Sequence, residues 1–260
     1  MRIRRLALFL PLYAASLAQA GVLEEIQQNG ELRVCIWPDY YGISFRNPRT
    51  GNLQGIDIDL SQALAKDLGV RLAYVETSFN TLIDDLLEKR CQIGMMGVGV
   101  TPERKQRLDF SLPYLRSDIY AITTRDNTTL KSWADLDQPG RSIAVQKGTY
   151  MEPLMRRTLQ HARLLVVERL GEREREVATG RADAFITDYP YSQRMLASTD
   201  WARRIAPTQT IQLTDYAYAV AKGDALWLAR INQFVTRIKL DGRLQDAARK
   251  NNLTPIAILE

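Results

Sequence analysis

Twice along this chain, short apolar runs alternate with stretches whose apolar residues recur every three to four positions. Residues 32–37 form an apolar run after Gly30 and read as a buried strand. Over 57–68, Leu60, Ala63, Leu64 and Leu68 fall on one helical face. Asp57 and Asp59 lie in that helix's first turn, where carboxylates suit the helix dipole, and Gly69 ends it. A strand over 70–76, a helix marked by Leu82, Ile83, Leu86 and Leu87, and a glycine-rich strand over 93–100 follow. Residues 142–145, 152–160, 164–167, 172–179, 182–187 and 189–196 repeat the alternation. Such a β-α-β-α-β series predicts a parallel sheet covered by helices, here twice over.

Extended segments at 118–124 and 215–221 flank the second series. Two helices follow, one carrying Leu228, Ile231, Phe234, Val235 and Ile238, the other spanning 243–250. They have no strands of their own and need a sheet to cover. The expected architecture is therefore two α/β lobes with the second inserted in the first: 21–117, 118–217 and 218–260. Two crossings between lobes make a hinge, and a cleft between domains suits a small ligand.

Net charge of +5 first points to a nucleic-acid partner. The N-terminus argues otherwise. Arg2, Arg4 and Arg5 precede an apolar run over 6–17, and Ala18-Gln19-Ala20 follows, the pattern of a secretory signal peptide over 1–20. The other reading of this segment is an uncleaved N-terminal anchor. Cleavage after Ala20 removes three of the positive charges and leaves +2. No other stretch approaches the about 20 apolar residues a spanning helix needs. The expected mature protein is exported and monomeric, with no nucleic-acid partner. A single histidine, His161, makes a multi-histidine metal centre or a Ser-His-Asp site a poor fit.

In parallel sheets ligands bind beyond the carboxyl ends of the strands. The third strand runs into Gly97-Val98-Gly99-Val100-Thr101-Pro102-Glu103-Arg104, where glycines allow close backbone approach and Arg104 offers a fork matched to a carboxylate. The second series opens on a strand followed by Gly148-Thr149 at a helix start, a place that favours anions. Its last strand ends at Thr187-Asp188, where a carboxylate can accept hydrogen bonds from an ammonium. Together these groups suit a zwitterion.

At these residues the sequence resembles the extracellular solute-binding proteins of family 3, periplasmic receptors of polar amino-acid ABC transporters. The resemblance runs over about residues 21–255. It rests on residues 53–60 (LQGIDIDL), 101–104 (TPER), 108–114 (LDFSLPY), 146–149 (QKGT) and 180–188 (GRADAFITD), in that order and spacing. It implies the two-lobe periplasmic binding protein fold, each lobe a mostly parallel sheet flanked by helices. It also implies an amino-acid-like ligand, a membrane permease as partner, and neither cofactor nor catalytic residue. By the same resemblance, Arg104 clamps the ligand carboxylate and Gly148 and Thr149 assist. Asp188 takes the ammonium, Phe79 and Tyr40 cover the ligand, and Met96 and Gly97 supply backbone contacts.

The departures bear on specificity. Gly99 stands where relatives often carry Ser. Trp37 and Pro38 stand where receptors for cationic amino acids place an acid, with Asp39 next along the chain. Tyr150 and Met151 stand where small or polar residues are commoner, and with Trp37, Tyr40 and Phe79 they point to a pocket rich in aromatic surface and to an uncharged or aromatic ligand side chain. A plainer role is also open to each residue. Arg104 has the plainer reading of a surface arginine capping a helix, Asp188 that of a helix cap, which does not exclude binding, and Tyr40 and Phe79 that of core. Asp57 and Asp59 read as helix-start charges, and 168–176 (ERLGERERE) as a solvated helix face.

Cys35 and Cys91 fall on or beside neighbouring strands and either bridge or remain buried thiols. Two other functions stand beside the transport receptor. Some relatives resemble cyclohexadienyl dehydratases, which need a cleft acid acting on a prephenate-like substrate; here Tyr189-Pro190-Tyr191 follow Asp188. A ligand sensor for a membrane signalling partner is the other.

Overall fold

The computed structural model describes residues 21–169 and 171–260. The expected signal peptide lies outside the described residues. Two sheets flanked by helices carry the architecture. In the first, the strands run in the order Arg71–Glu76, Glu31–Ile36, Ile93–Gly99, Thr214–Ala221 and Leu108–Phe110, with Leu115–Ser117 also pairing to Thr214–Ala221. The first three are parallel, as the alternating pattern requires, and Thr214–Ala221 joins them antiparallel. The second sheet repeats this plan: Arg163–Val167, Ser142–Gln146 and Ala184–Asp188 are parallel, and Ile119–Thr124 and Ala202–Ile205 complete the order antiparallel.

Two of the antiparallel strands, Ile119–Thr124 and Thr214–Ala221, lie where the chain runs from the first sheet into the second and back. Ser117 pairs with Thr214 and Leu115 with Tyr216, so the outgoing and returning passes meet in one ladder. The lobe boundary expected at residue 217 falls inside Thr214–Ala221, where Tyr216 and Ala217 pair with Gly99 and Val98 of the first sheet. We infer that the insert ends before Thr214.

The helix Ala225–Leu240 packs its stripe on the first sheet: Trp227, Ile231, Phe234, Val235 and Ile238 are buried. Trp227 Nε1 also donates to the Gln92 carbonyl at 2.9 Å, which satisfies the indole where burial would otherwise be costly. Cys35 and Cys91 form a disulfide with Cα atoms 5.6 Å apart, which settles the alternative left open by the sequence. Among the described residues, no helix is long and apolar enough to cross a membrane.

Candidate functional site

Thr101 caps the short helix Pro102–Lys105, its Oγ1 accepting from the Arg104 N–H at 3.2 Å. Proline at the first helical position fits, because that N–H has no helical partner to lose. This turn sends the Arg104 side chain back under the strand it follows. Nη1 donates to the Gly99 carbonyl at 2.8 Å, and Nη2 reaches across to the Gly148 carbonyl of the second lobe at 2.9 Å. The guanidinium carbon lies 5.3 Å from the centre of the Phe79 ring. Arg104 is only 8% exposed, so it is no surface arginine. Burial lowers its pKa to about 10, which leaves it cationic at neutral pH.

Asp188 ends the strand Ala184–Asp188 and caps the helix Tyr189–Ser198, its Oδ1 accepting from the Tyr191 N–H at 3.3 Å. It is 2% exposed. Its Oδ2 accepts from two phenols, Tyr40 of the first lobe and Tyr216 of the returning pass. Burial raises the Asp188 pKa, and those hydroxyls oppose the rise by stabilising the carboxylate. Tyr150 and Tyr216 hydroxyls lie 3.3 Å apart, and Trp37, Tyr40 and Phe79 meet as tilted and edge-on rings 5.3–5.9 Å apart.

These groups line a narrow pocket of about 20 Å³ between the lobes, so a ligand larger than water needs the lobes to part before it enters. Trp37, Tyr40, Phe79, Gly97, Gly99 and Arg104 line it from the first lobe. Thr149, Tyr150, Met151, Arg173, Thr187, Asp188 and Tyr191 line it from the second. Met96 and Gly148 are not among the described lining residues. The Met96 side chain is fully buried in a cluster with Cys35, Leu82, Leu86, Cys91 and Val98, which leaves only its backbone, the part expected to contribute, for the cleft. Gly148 touches the site through its carbonyl only, because its N–H donates to Glu152 Oε2 at 3.0 Å and is not free to hold an anion. The Thr149 hydroxyl likewise donates to the Gln146 carbonyl at 2.8 Å. Gly148 has φ +78°, and a Cβ there would sit 2.2 Å from Asn80 Oδ1, so glycine lets the lobes approach at this point.

Several contributors were not legible beforehand. Tyr216 sits in the extended segment 215–221, which the sequence marks only as a crossing between lobes. Arg173 lies in the charged run 168–176, yet it is 4% exposed rather than solvated. It donates to Glu174 Oε1 at 2.9 Å and covers the Tyr191 ring at 4.1 Å. Asp57 is fully buried, and its Oδ2 accepts from the Gly97 N–H at 2.8 Å and the Tyr114 hydroxyl at 2.6 Å. Asp59, on the same helix, accepts instead from Lys250 at 2.7 Å. Asp188 is the sole carboxylate among the described lining residues; Asp39 is not one of them.

The family model for bacterial extracellular solute-binding proteins, family 3, matches residues 32–253. Cyclohexadienyl dehydratase of Pseudomonas aeruginosa is 31% identical over 225 residues, which cover 86% of this chain and 84% of the relative. The L-cystine-binding protein TcyJ of Escherichia coli is 28% identical over 257 residues, covering 96% and 93%. A crystal structure of the ancestral amino acid-binding protein AncCDT-1, a precursor of cyclohexadienyl dehydratase, matches with a TM-score of 0.80 at 34% identity, covering 89% and 99%. With a family match that runs through both sheets and the cavity between them, this chain belongs to the bacterial extracellular solute-binding proteins of family 3.

Proposed function

We propose that the protein is an exported receptor that grips an amino acid, or a similar small zwitterion, between its lobes and presents it to a membrane permease. One observation carries this reading. A buried guanidinium from the first lobe and a buried carboxylate from the second line the same cavity, and no ion pair links Arg104 to Asp188 among the described residues. Opposite charges held apart in a low-dielectric cleft match a guest that carries both charges itself. The ligand selects the closed arrangement by binding it better than the open one. With Asp188 as the sole carboxylate among the described lining residues and Trp37, Tyr40, Phe79 and Tyr150 as walls, the favoured side chain is uncharged or aromatic. Screening the mature protein against individual amino acids by thermal shift tests this, since a ligand of the native state raises the melting temperature by mass action. A flat response to every amino acid defeats the reading.

A second reading has a specific observation behind it. The relative from Pseudomonas aeruginosa is an enzyme, and burial raises the Asp188 pKa, as a proton donor requires. In that reading Asp188 gives its proton to the ring hydroxyl, which leaves as water while the ring C–carboxylate bond breaks, its electron pair making the ring aromatic and its carboxylate departing as carbon dioxide; Arg104 holds the side-chain carboxylate. Incubation with prephenate and with arogenate separates the two readings: aromatic product at a catalytic rate favours the enzyme, and its absence alongside amino-acid binding favours the receptor.

A further inference from the structure

Directly beneath the cleft lies a carboxylate that the zwitterion grip does not use. Asp57 opens the helix Ile56–Leu68 and is fully buried. Its Oδ2 takes the Gly97 N–H and the Tyr114 hydroxyl, while its buried Oδ1 has no hydrogen-bond partner. Tyr218 stacks on Tyr114 with ring centres 4.5 Å apart, and its buried hydroxyl is likewise without a partner. Tyr74, on the strand Arg71–Glu76, also feels the Asp57 charge, and Asp59, two residues along the helix, pairs with Lys250 of the helix Arg243–Lys250 that packs beside it.

Gly97 is the point where this buried cluster meets the cavity. It has φ +61°, and a Cβ there would lie 3.0 Å from Tyr40 Cε1 and 3.5 Å from Tyr216 Cδ2. Those are the two phenols that hold Asp188. The backbone at Gly97 is thus wedged between Asp57 below and both phenols above. A hydrogen bond to an ionised carboxylate is roughly twice as strong as one to a neutral acid. The charge state of Asp57 therefore decides how firmly the Gly97 turn is held.

We propose that Asp57 is a positioning residue for the cleft: its ionised carboxylate fixes the Gly97 turn against Tyr40 and Tyr216, and the grip on ligand weakens when that carboxyl takes up a proton. The proposal rests on the reading of the cleft as an amino-acid site. Burial, opposed by the Tyr114 and Gly97 hydrogen bonds, raises the Asp57 pKa to about 7, so the change falls near neutrality. If only the ionised form binds well, linkage limits the loss of affinity between pH 8 and pH 6 to about tenfold.

The test uses the full mature chain and, as probes, each protein amino acid and L-cystine, by calorimetry at pH 6 and pH 8. The wild type binds its probe up to about tenfold more weakly at pH 6, and Asp57→Asn binds equally at both. Tyr114→Phe, which removes a donor to the ionised form, moves the midpoint of the profile upward and serves if Asp57→Asn does not fold. An Asp57→Asn variant that keeps the wild-type profile overturns the proposal. Independently of any ligand, the Gly97 amide resonance of the protein alone shifts with pH near neutrality in the wild type and not in Asp57→Asn; a Gly97 resonance that does not move overturns it too. If Gly97 titrates but no probe binds, the positioning role stands and the amino-acid reading of the cleft falls.

Discussion

Reducing the Cys35–Cys91 bridge should cost the protein a large part of its stability. The bridge closes a segment of 56 residues that carries the helices Ile56–Leu68 and Leu82–Leu87 and the edge strand Arg71–Glu76. For a loop of that length the chain-entropy model gives about 4 kcal/mol at 25 °C. In a domain of this size that is a fall in melting temperature of about 8–16 °C. Both cysteines are buried, at 0% and 2% exposure, so reductant acts only after unfolding. The assay therefore compares oxidised wild type with wild type unfolded, reduced and refolded under reductant, by denaturant titration and thermal melting. A Cys35→Ala/Cys91→Ala double variant controls for thiol chemistry. Two titratable thiols in protein unfolded without reductant would refute the bridge itself. A difference within about 1 kcal/mol, the scale of small packing changes, would refute the entropic reasoning.

Gly97→Ala should cost about 1–2 kcal/mol from its left-handed backbone alone and displace the Tyr40 ring 3.0 Å from the new Cβ, lowering both melting temperature and ligand affinity. The Asp57 carboxyl, raised by burial from an ordinary 3.8 to about 7, makes the folded state hold more protons than the unfolded state in that window. Stability should therefore fall as pH rises from about 4 to about 7 and level off above it. Denaturation midpoints of wild type minus Asp57→Asn across that range isolate this slope, and a difference that stays flat contradicts it.

The parallel halves of both sheets were readable because each strand pairs with one reached through a covering helix, and the helix period shows in residues such as Leu60, Ala63, Leu64 and Leu68. The short strands were not. Asp39–Tyr40, Ser44–Arg46 and Leu53–Gln54 form a small three-stranded sheet, but two or three residues carry no period and their pairing is set by distant partners. This sheet places Tyr40, expected in a loop, firmly over Asp188. Strand ends and caps made Arg104 and Asp188 legible, since Thr101-Pro102 and Thr187-Asp188 fix local geometry on their own. Arg173 and Asp57 were hidden for the opposite reason. A charge in a helical charged run or a first helical turn is ordinarily solvated, and only tertiary packing put Arg173 over Tyr191 and sealed Asp57 beneath Gly97. The hydrogen bond from the Gly148 N–H to Glu152 was equally invisible, because it depends on the rotamer of a side chain four residues on.

The grip of Arg104 on a ligand carboxylate is tested most directly by calorimetry with the amino acid that raises the melting temperature, comparing wild type with Arg104→Ala. Truncating one partner of a buried charged hydrogen-bonded pair costs at least about 2 kcal/mol, so affinity should fall by a factor of about 30 or more. Melting of the unliganded variant verifies that the fold survives the loss of its bonds to the Gly99 and Gly148 carbonyls. A folded Arg104→Ala protein that binds the amino acid as tightly as wild type would contradict the account.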